Sequence, residues 1–123
     1  MANELTLKVF MKFAPGTIQP PQVAPSSFQI DVTGTDYTMA TQNIGTSAEA
    51  VAQGDVGTPG YILVHNLDST NFVEFGYDDS GFKPTVEVPA TGWALFKVST
   101  SAATLQAKAD TAAVNIEYFL VEE

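Results

Sequence analysis

Apolar and polar positions along the chain alternate in short runs. Residues 5 to 13 place Leu5, Leu7, Val9, Met11 and Phe13 on one side against Thr6, Lys8 and Lys12 on the other, with Phe10 the exception. A period of two is the mark of a strand with one buried face. Residues 28 to 32 repeat it with Phe28, Ile30 and Val32 against Gln29 and Asp31, and Gly34 and Asp36 then supply turn chemistry. Residues 37 to 44 form another strand, with Tyr37, Met39 and Ile44 as its larger side chains. Residues 47 to 53 have helical propensity but are too few to stand as a helix, so they read as a helical turn or an edge strand.

The second half carries the stronger signals. Tyr61 to Asn66 is apolar on both faces, which predicts a central strand covered on two sides. Asp68, Ser69 and Thr70 predict a tight connection, with Asn71 to Tyr77 returning as the second strand of a hairpin. Asp78, Asp79, Ser80 and Gly81 predict a turn in which Gly81 takes positive φ. Thr85 to Val88 reads as a strand ended by Pro89, Trp93 to Val98 as an apolar strand, and Leu105 to Ala109 as a strand of small residues. Val114, Ile116, Tyr118 and Leu120 make the inner face of the last strand. About eight or nine strands divided by Gly, Pro, Asp and Ser turns predict an all-β fold. The expectation is a single antiparallel β-sandwich of jelly-roll-like form over residues 1–123; the spacing itself is equally compatible with an immunoglobulin-like order.

One segment breaks the pattern. Residues 14 to 26 carry Pro15, Pro20, Pro21 and Pro25, which exclude a helix and a central strand. As polyproline II the segment spans up to roughly 40 Å. It reads either as an arm that lies on a neighbouring subunit or as a crossover between sheets. The candidate subunit contacts are Leu5, Leu7, Val9, Pro15, Ile18, Pro20, Pro21, Val23 and Pro25.

Charge narrows the partners. Fourteen acids oppose five lysines across 123 residues, a net charge of −9. Nucleic acid demands a basic footprint, and an anionic membrane repels such a chain. Charged residues make up 15% of the chain, against about a quarter in ordinary domains, which leaves a surface rich in neutral groups. With no cysteine there is neither a disulfide nor a thiolate metal site. Met1 to Phe13 lacks the apolar run of a signal peptide, and no stretch approaches a membrane span, so the expectation is a soluble protein made in a cytoplasm.

The catalytic inventory is short. His65 is the only histidine, it lies in the most apolar strand, and no Gly-x-Ser-x-Gly elbow accompanies it; a packed, hydrogen-bonded histidine is the reading. Glu74, Asp78, Asp79 and Asp68 are close in sequence, but turn preference accounts for the three aspartates. The calcium-loop spacing is missing, and Gly54, Gly57 and Gly60 precede no lysine-bearing helix. No catalytic residue, metal or cofactor is expected. Tyr61, Phe72, Phe75, Tyr77 and Trp93 suit sugar stacking if two lie side by side on the surface, and core filling otherwise.

Two runs carry a resemblance. Gly60-Tyr61-Ile62-Leu63-Val64-His65-Asn66-Leu67-Asp68-Ser69-Thr70-Asn71-Phe72-Val73-Glu74-Phe75-Gly76 resembles a stretch in small virion structural proteins of tailed bacteriophages. Ala107-Lys108-Ala109-Asp110-Thr111-Ala112-Ala113-Val114-Asn115-Ile116-Glu117-Tyr118 is similar to the same group, and Trp93-Ala94-Leu95-Phe96 is compatible with it. These runs cover a minority of the chain and leave the N-terminal half outside the likeness. The resemblance implies a non-enzymatic capsid decoration (cement) protein on the outer capsid surface. Its partners would be the major capsid protein and copies of itself, as in a trimer, with neither nucleic acid nor membrane. A carbohydrate-binding β-sandwich module and a head–tail or tail accessory subunit stand as the alternative readings.

Overall fold

The computed structural model of the chain describes residues 4–12, 22–23, 27–99 and 104–123. It divides into two compact units, residues 1–33 and 34–123. All secondary structure among the described residues is β, and every ladder is antiparallel.

The smaller unit is a two-stranded ribbon. β1 (Leu5–Leu7) pairs with β4 (Phe28–Ile30), and β2 (Met11–Lys12) pairs with β3 (Gln22–Val23). The chain therefore runs out along β1 and β2 and returns along β3 and β4. The strand expected over residues 5 to 13 is interrupted at Lys8–Phe10, and the one expected over 28 to 32 ends at Ile30. The register explains the interruption. Leu5 faces Ile30 and Leu7 faces Phe28, whereas Met11 faces Val23, one residue out of step. A one-residue slip reverses which side chains share a face, so a single continuous ladder is not available. Most of the proline-rich stretch 14–26 lies outside the described residues.

The larger unit is an eight-stranded sandwich. Its strands are β5 (Tyr37–Ile44), β6 (Glu49–Ala50), β7 (Pro59–Asn66), β8 (Val73–Asp78), β9 (Phe82–Val88), β10 (Trp93–Lys97), β11 (Gln106–Ala109) and β12 (Val114–Glu122). One sheet has the order β10-β7-β12-β5 and the other β6-β11-β8-β9. Counted in chain order, the eight strands pair first with last, second with seventh, third with sixth and fourth with fifth. That wrapped hairpin is a jelly roll. Where spacing left the strand order open, the ladders define it.

Alternation places the core. β12 buries Val114, Ile116, Tyr118 and Leu120 and exposes the residues between them; β7 buries Ile62, Val64 and Asn66. The opposing sheet contributes Val73, Phe75, Val88, Ala107 and Ala109. Phe75 is the largest fully buried side chain and meets Phe96 edge-on, with ring centroids 5.9 Å apart. Each such large apolar side chain contributes about 1.5–3 kcal/mol on burial.

Two expectations are corrected. β7 and β8 do not form a hairpin: the connection at residues 67–72 carries the chain from one sheet to the other, and β7 pairs with β10 and β12 instead. Nor is β7 covered on two sides, since its outward Leu63 is exposed. The crossing is held by Asn66. Its buried amide donates to the carbonyls of Asn71 at 2.9 Å and of Val88 and Pro89 at 3.2 Å, and its oxygen accepts from the Asp68 N–H at 2.9 Å.

The Asp78–Gly81 turn is present between β8 and β9. Ser80 has φ 55° and Gly81 φ 122°, and the Asp78 carboxylate accepts from the Gly81 N–H at 3.0 Å. The register shifts at Gly76, opposite Pro84, and a Cβ on Gly76 would overlap the Lys83 carbonyl. Pro84 is tolerated because β9 is an edge strand. Residues 49–50 form the edge strand that was one of two expectations for residues 47–53. The stretch just after it is held by the Gln42 side chain, whose oxygen accepts from the Ala52 N–H at 2.9 Å and whose amide donates to the Ala50 carbonyl at 3.0 Å.

Candidate interaction surface

The outward face of the β10-β7-β12-β5 sheet is built from residues that alternate with the core. The ladders align them in rows across the strands. One row is Met39, Phe119, Leu63 and Leu95; the next is Thr41, Glu117, His65 and Trp93. Toward the other end Tyr37 lies opposite Val121, and Tyr61 opposite Lys97. Met39 is 72% exposed and Trp93 59%. The Tyr37 and Phe119 rings meet edge-on at 5.8 Å. Between Met39, Leu63, Trp93 and Phe119 lies a shallow depression of about 580 Å³. By strand spacing and rise, these rows cover roughly 14 Å by 14 Å before side chains extend them. This exposed apolar cluster makes the face the candidate interaction surface.

His65 sits inside this patch. Its ring stacks on Trp93 with centroids 3.9 Å apart and planes 5° from parallel, and its Nδ1 lies 3.2 Å from a Glu117 oxygen. The packed, hydrogen-bonded histidine read from sequence is what the structure holds. Stacking and the Glu117 contact fix the ring, and they hold Trp93 in place as an open platform.

The other expected chemistry is scattered. Asp68 accepts from the backbone N–H groups of Asn71 at 2.7 Å and Thr70 at 2.8 Å, which hold its carboxyl below the ordinary range. Glu122 is lowered in the same way by the Gly57 and Asp36 N–H groups. Both carboxylates thus act as turn and loop anchors. Among the described residues no three His, Asp or Glu side chains converge on a metal-sized site. Of the aromatic set, Phe75 is core, Phe72 is half-buried, Tyr77 is exposed on the other sheet, Tyr61 is half-buried at the far end of the apolar face, and Trp93 stands exposed on it.

The contact residues expected from sequence fall on the ribbon. Leu5 and Leu7 share one of its faces with Phe28 and Ile30 and are half-buried, and Val9 is exposed. Val23 lies in β3, while Pro15, Ile18, Pro20, Pro21 and Pro25 lie outside the described residues. Phe10 and Met11, which were not among the expected contacts, are 59% and 65% exposed. The sandwich face was missed altogether, although its outward residues are large and apolar. Its rows join positions up to 80 residues apart, and pattern along the chain does not reveal which strands become neighbours.

Charge is divided unequally between the two units. Residues 1–33 carry Lys8 and Lys12 against Glu4 and Asp31 and are neutral, whereas residues 34–123 carry three lysines against twelve acids and so hold the whole net charge of −9. No protein-family model, no curated protein and no solved structure matches the chain.

Proposed function

We propose that this chain is a non-enzymatic structural subunit of a tailed-phage virion, a decoration (cement) protein on the outer capsid surface whose partners are the major capsid protein and copies of itself. The observation that carries the reading is the open apolar face of Met39, Leu63, Trp93 and Phe119 on a rigid jelly roll. Such a face gains by being covered, at about 25 cal/mol for each Å² of apolar surface removed from water. A cement subunit needs only modest contacts, because many copies share the load. Jelly rolls serve capsids, lectins and cupins alike, so the architecture adds no preference of its own. The charge of −9 suits a position away from packaged DNA.

Quantitative mass spectrometry of purified particles of the phage encoding the chain tests the proposal. Hundreds of copies per particle support the shell. A dozen or fewer favour the head–tail or tail accessory reading, and absence from the particle sinks both. A carbohydrate-binding role is favoured by one observation, the exposed Trp93 ring on an apolar floor. As the only tryptophan, it gives a direct readout. A shift of its fluorescence with polysaccharides at millimolar or lower concentration supports that role, and an unmoved spectrum removes it.

A further inference from the structure

We infer that the outer edge of β10 is the seat for the same edge of a second copy, the two strands pairing antiparallel about a two-fold axis at Leu95. The inference rests on the reading that gives the chain copies of itself as partners, and it names where they meet. β10 pairs with β7 on one side, and among the described residues no strand lies on its other side. The Val98 N–H donates to the Gly60 carbonyl at 2.8 Å, and the Gly92 carbonyl accepts from the Asn66 N–H at 2.9 Å, both in register with the β10-β7 ladder. Every second residue from Gly92 therefore bonds to β7, and the backbone N–H and C=O groups of Trp93, Leu95 and Lys97 point outward. Ala94 and Phe96 turn toward the core yet are only half-buried, so a strand laid beside them would complete their cover.

The other three sheet edges are guarded. β6 has two residues, and β9 carries Pro84 beside a register shift. β5 is flanked by residues 50–53, which bond to its Gln42 and Thr38 side chains. Such devices keep foreign strands from adding to a sheet. β10 has five residues and none of these devices; its one charge, Lys97, stands at the end and is held by Glu123 at 2.9 Å. Charge and register select a second copy as the occupant. Residues 88–109 contain no acid, so two chains of net −9 meet here without carboxylates opposed along the strands. A two-fold axis at Leu95 sets Leu95 against Leu95 and Trp93 against the aliphatic stem of the other Lys97, and each outward N–H meets an outward C=O. The two Lys97 residues then lie about 13 Å apart, beyond the screening length of ~8 Å at physiological salt. Five paired residues cover a few hundred Å² per copy, well under the roughly 800 Å² of a standard interface, so the dimer is weak.

Sedimentation of the full chain over about 1–100 μM, without capsids, reads the pairing. The wild type is expected to pass from monomer to dimer in that range. Leu95→Lys and Leu95→Glu each oppose like charges across the axis and are expected to weaken the dimer at least ~10-fold, whereas an equal mixture of the two is expected to restore it. Circular dichroism verifies that both variants remain folded. Because the chain has no cysteine, disulfide trapping is clean. Leu95→Cys is expected to give a covalent dimer, since directly paired residues lie about 5.5 Å apart. Met39→Cys, on the far strand of the same sheet and 72% exposed, is expected to stay unlinked. A wild type that remains monomeric at 100 μM overturns the inference, as does a closed trimer. A mixture no tighter than its components, or Met39→Cys linking as fast as Leu95→Cys, overturns it as well. Particle binding is scored separately: a Leu95 variant that no longer dimerises yet still decorates particles leaves the virion reading intact.

Discussion

The two sheets of the sandwich share a core and differ on their outer sides. Outward positions on the β6-β11-β8-β9 sheet include Gln106, Lys108, Glu74 and Glu87, with Lys108 and Glu87 flanking Glu74 in register and Tyr77 as the large exposed aromatic. The corresponding positions on the partner sheet are Met39, Leu63, Leu95 and Phe119. Both sheets alternate with the same period and meet the same interior, so folding alone does not demand apolar residues outside. An ordinary sandwich polarises its strands, hydrophobic in and polar out. One sheet obeys that rule and the other breaks it across all four strands, which locates a requirement other than stability.

The comparison breaks first if the sheets are not one cooperative unit. Phe75→Ala removes the largest buried side chain from the polar-faced sheet and is expected to cost about 3–5 kcal/mol. Trp93 fluorescence, which reports the opposite sheet, should then melt together with the far-ultraviolet ellipticity; separate transitions would show two independent layers. Asn66→Ala strikes the crossing between the sheets. It takes the amide away from the Asn71 and Val88 carbonyls and the oxygen away from the Asp68 N–H, while the Pro89 carbonyl keeps the Gly92 N–H, an expected loss of about 2–3 kcal/mol by urea unfolding.

The outer faces themselves should respond weakly in stability and unequally in association. Leu63→Ser or Phe119→Ser is expected to change unfolding free energy by no more than ~1 kcal/mol while reducing association with particles, and Glu74→Gln by less than ~0.5 kcal/mol with that association unchanged. Equal effects on association from the two sides would erase the distinction drawn above.

The smallest effect is on pH. Backbone N–H groups lower the carboxyls of Asp68 and Glu122 in the folded chain, so their contribution is fully present above the unfolded-state values and is lost as pH falls toward the folded ones. Acid titration of the melting temperature should therefore slope downward below the ordinary carboxylate range. Asp68→Asn with Glu122→Gln should flatten that slope and lower the plateau near neutrality.

What sequence conveys here is the local part of the fold. The alternation in Val114–Leu120 gives β12 and its inner face, and Asp78–Gly81 gives a turn because its residue types answer a backbone requirement confined to four positions. The path from β7 to β8 is misread for the opposite reason. Residues 67–72 look like a tight reversal, but the amide of Asn66 ties the connection to residues 88 and 89, more than twenty positions onward. The same limit hides the interaction surface. Leu63 reads as interior because its strand is apolar on both sides; only the pairing of β7 with β12 and β10 shows that its outward side lies open. The apolar character of that strand was legible, and its purpose was not.

The jelly-roll order also governs when the molecule takes shape during synthesis. β12 lies between β5 and β7 in its sheet, and its far end reaches back through the Glu122 N–H to the Asp36 carbonyl at 3.0 Å and the Glu123 N–H to the Thr58 carbonyl at 2.9 Å. The middle of that layer is thus the segment a ribosome delivers after the other seven strands of the sandwich. Until it emerges, β5 and β7 have exposed edges with no neighbour between them, and contacts of such long range place assembly on the slow, millisecond-to-second side of small domains. A nascent copy consequently passes through an interval in which a finished neighbour is its most available template, and a high local concentration of copies makes that interval the moment of greatest risk for mispairing.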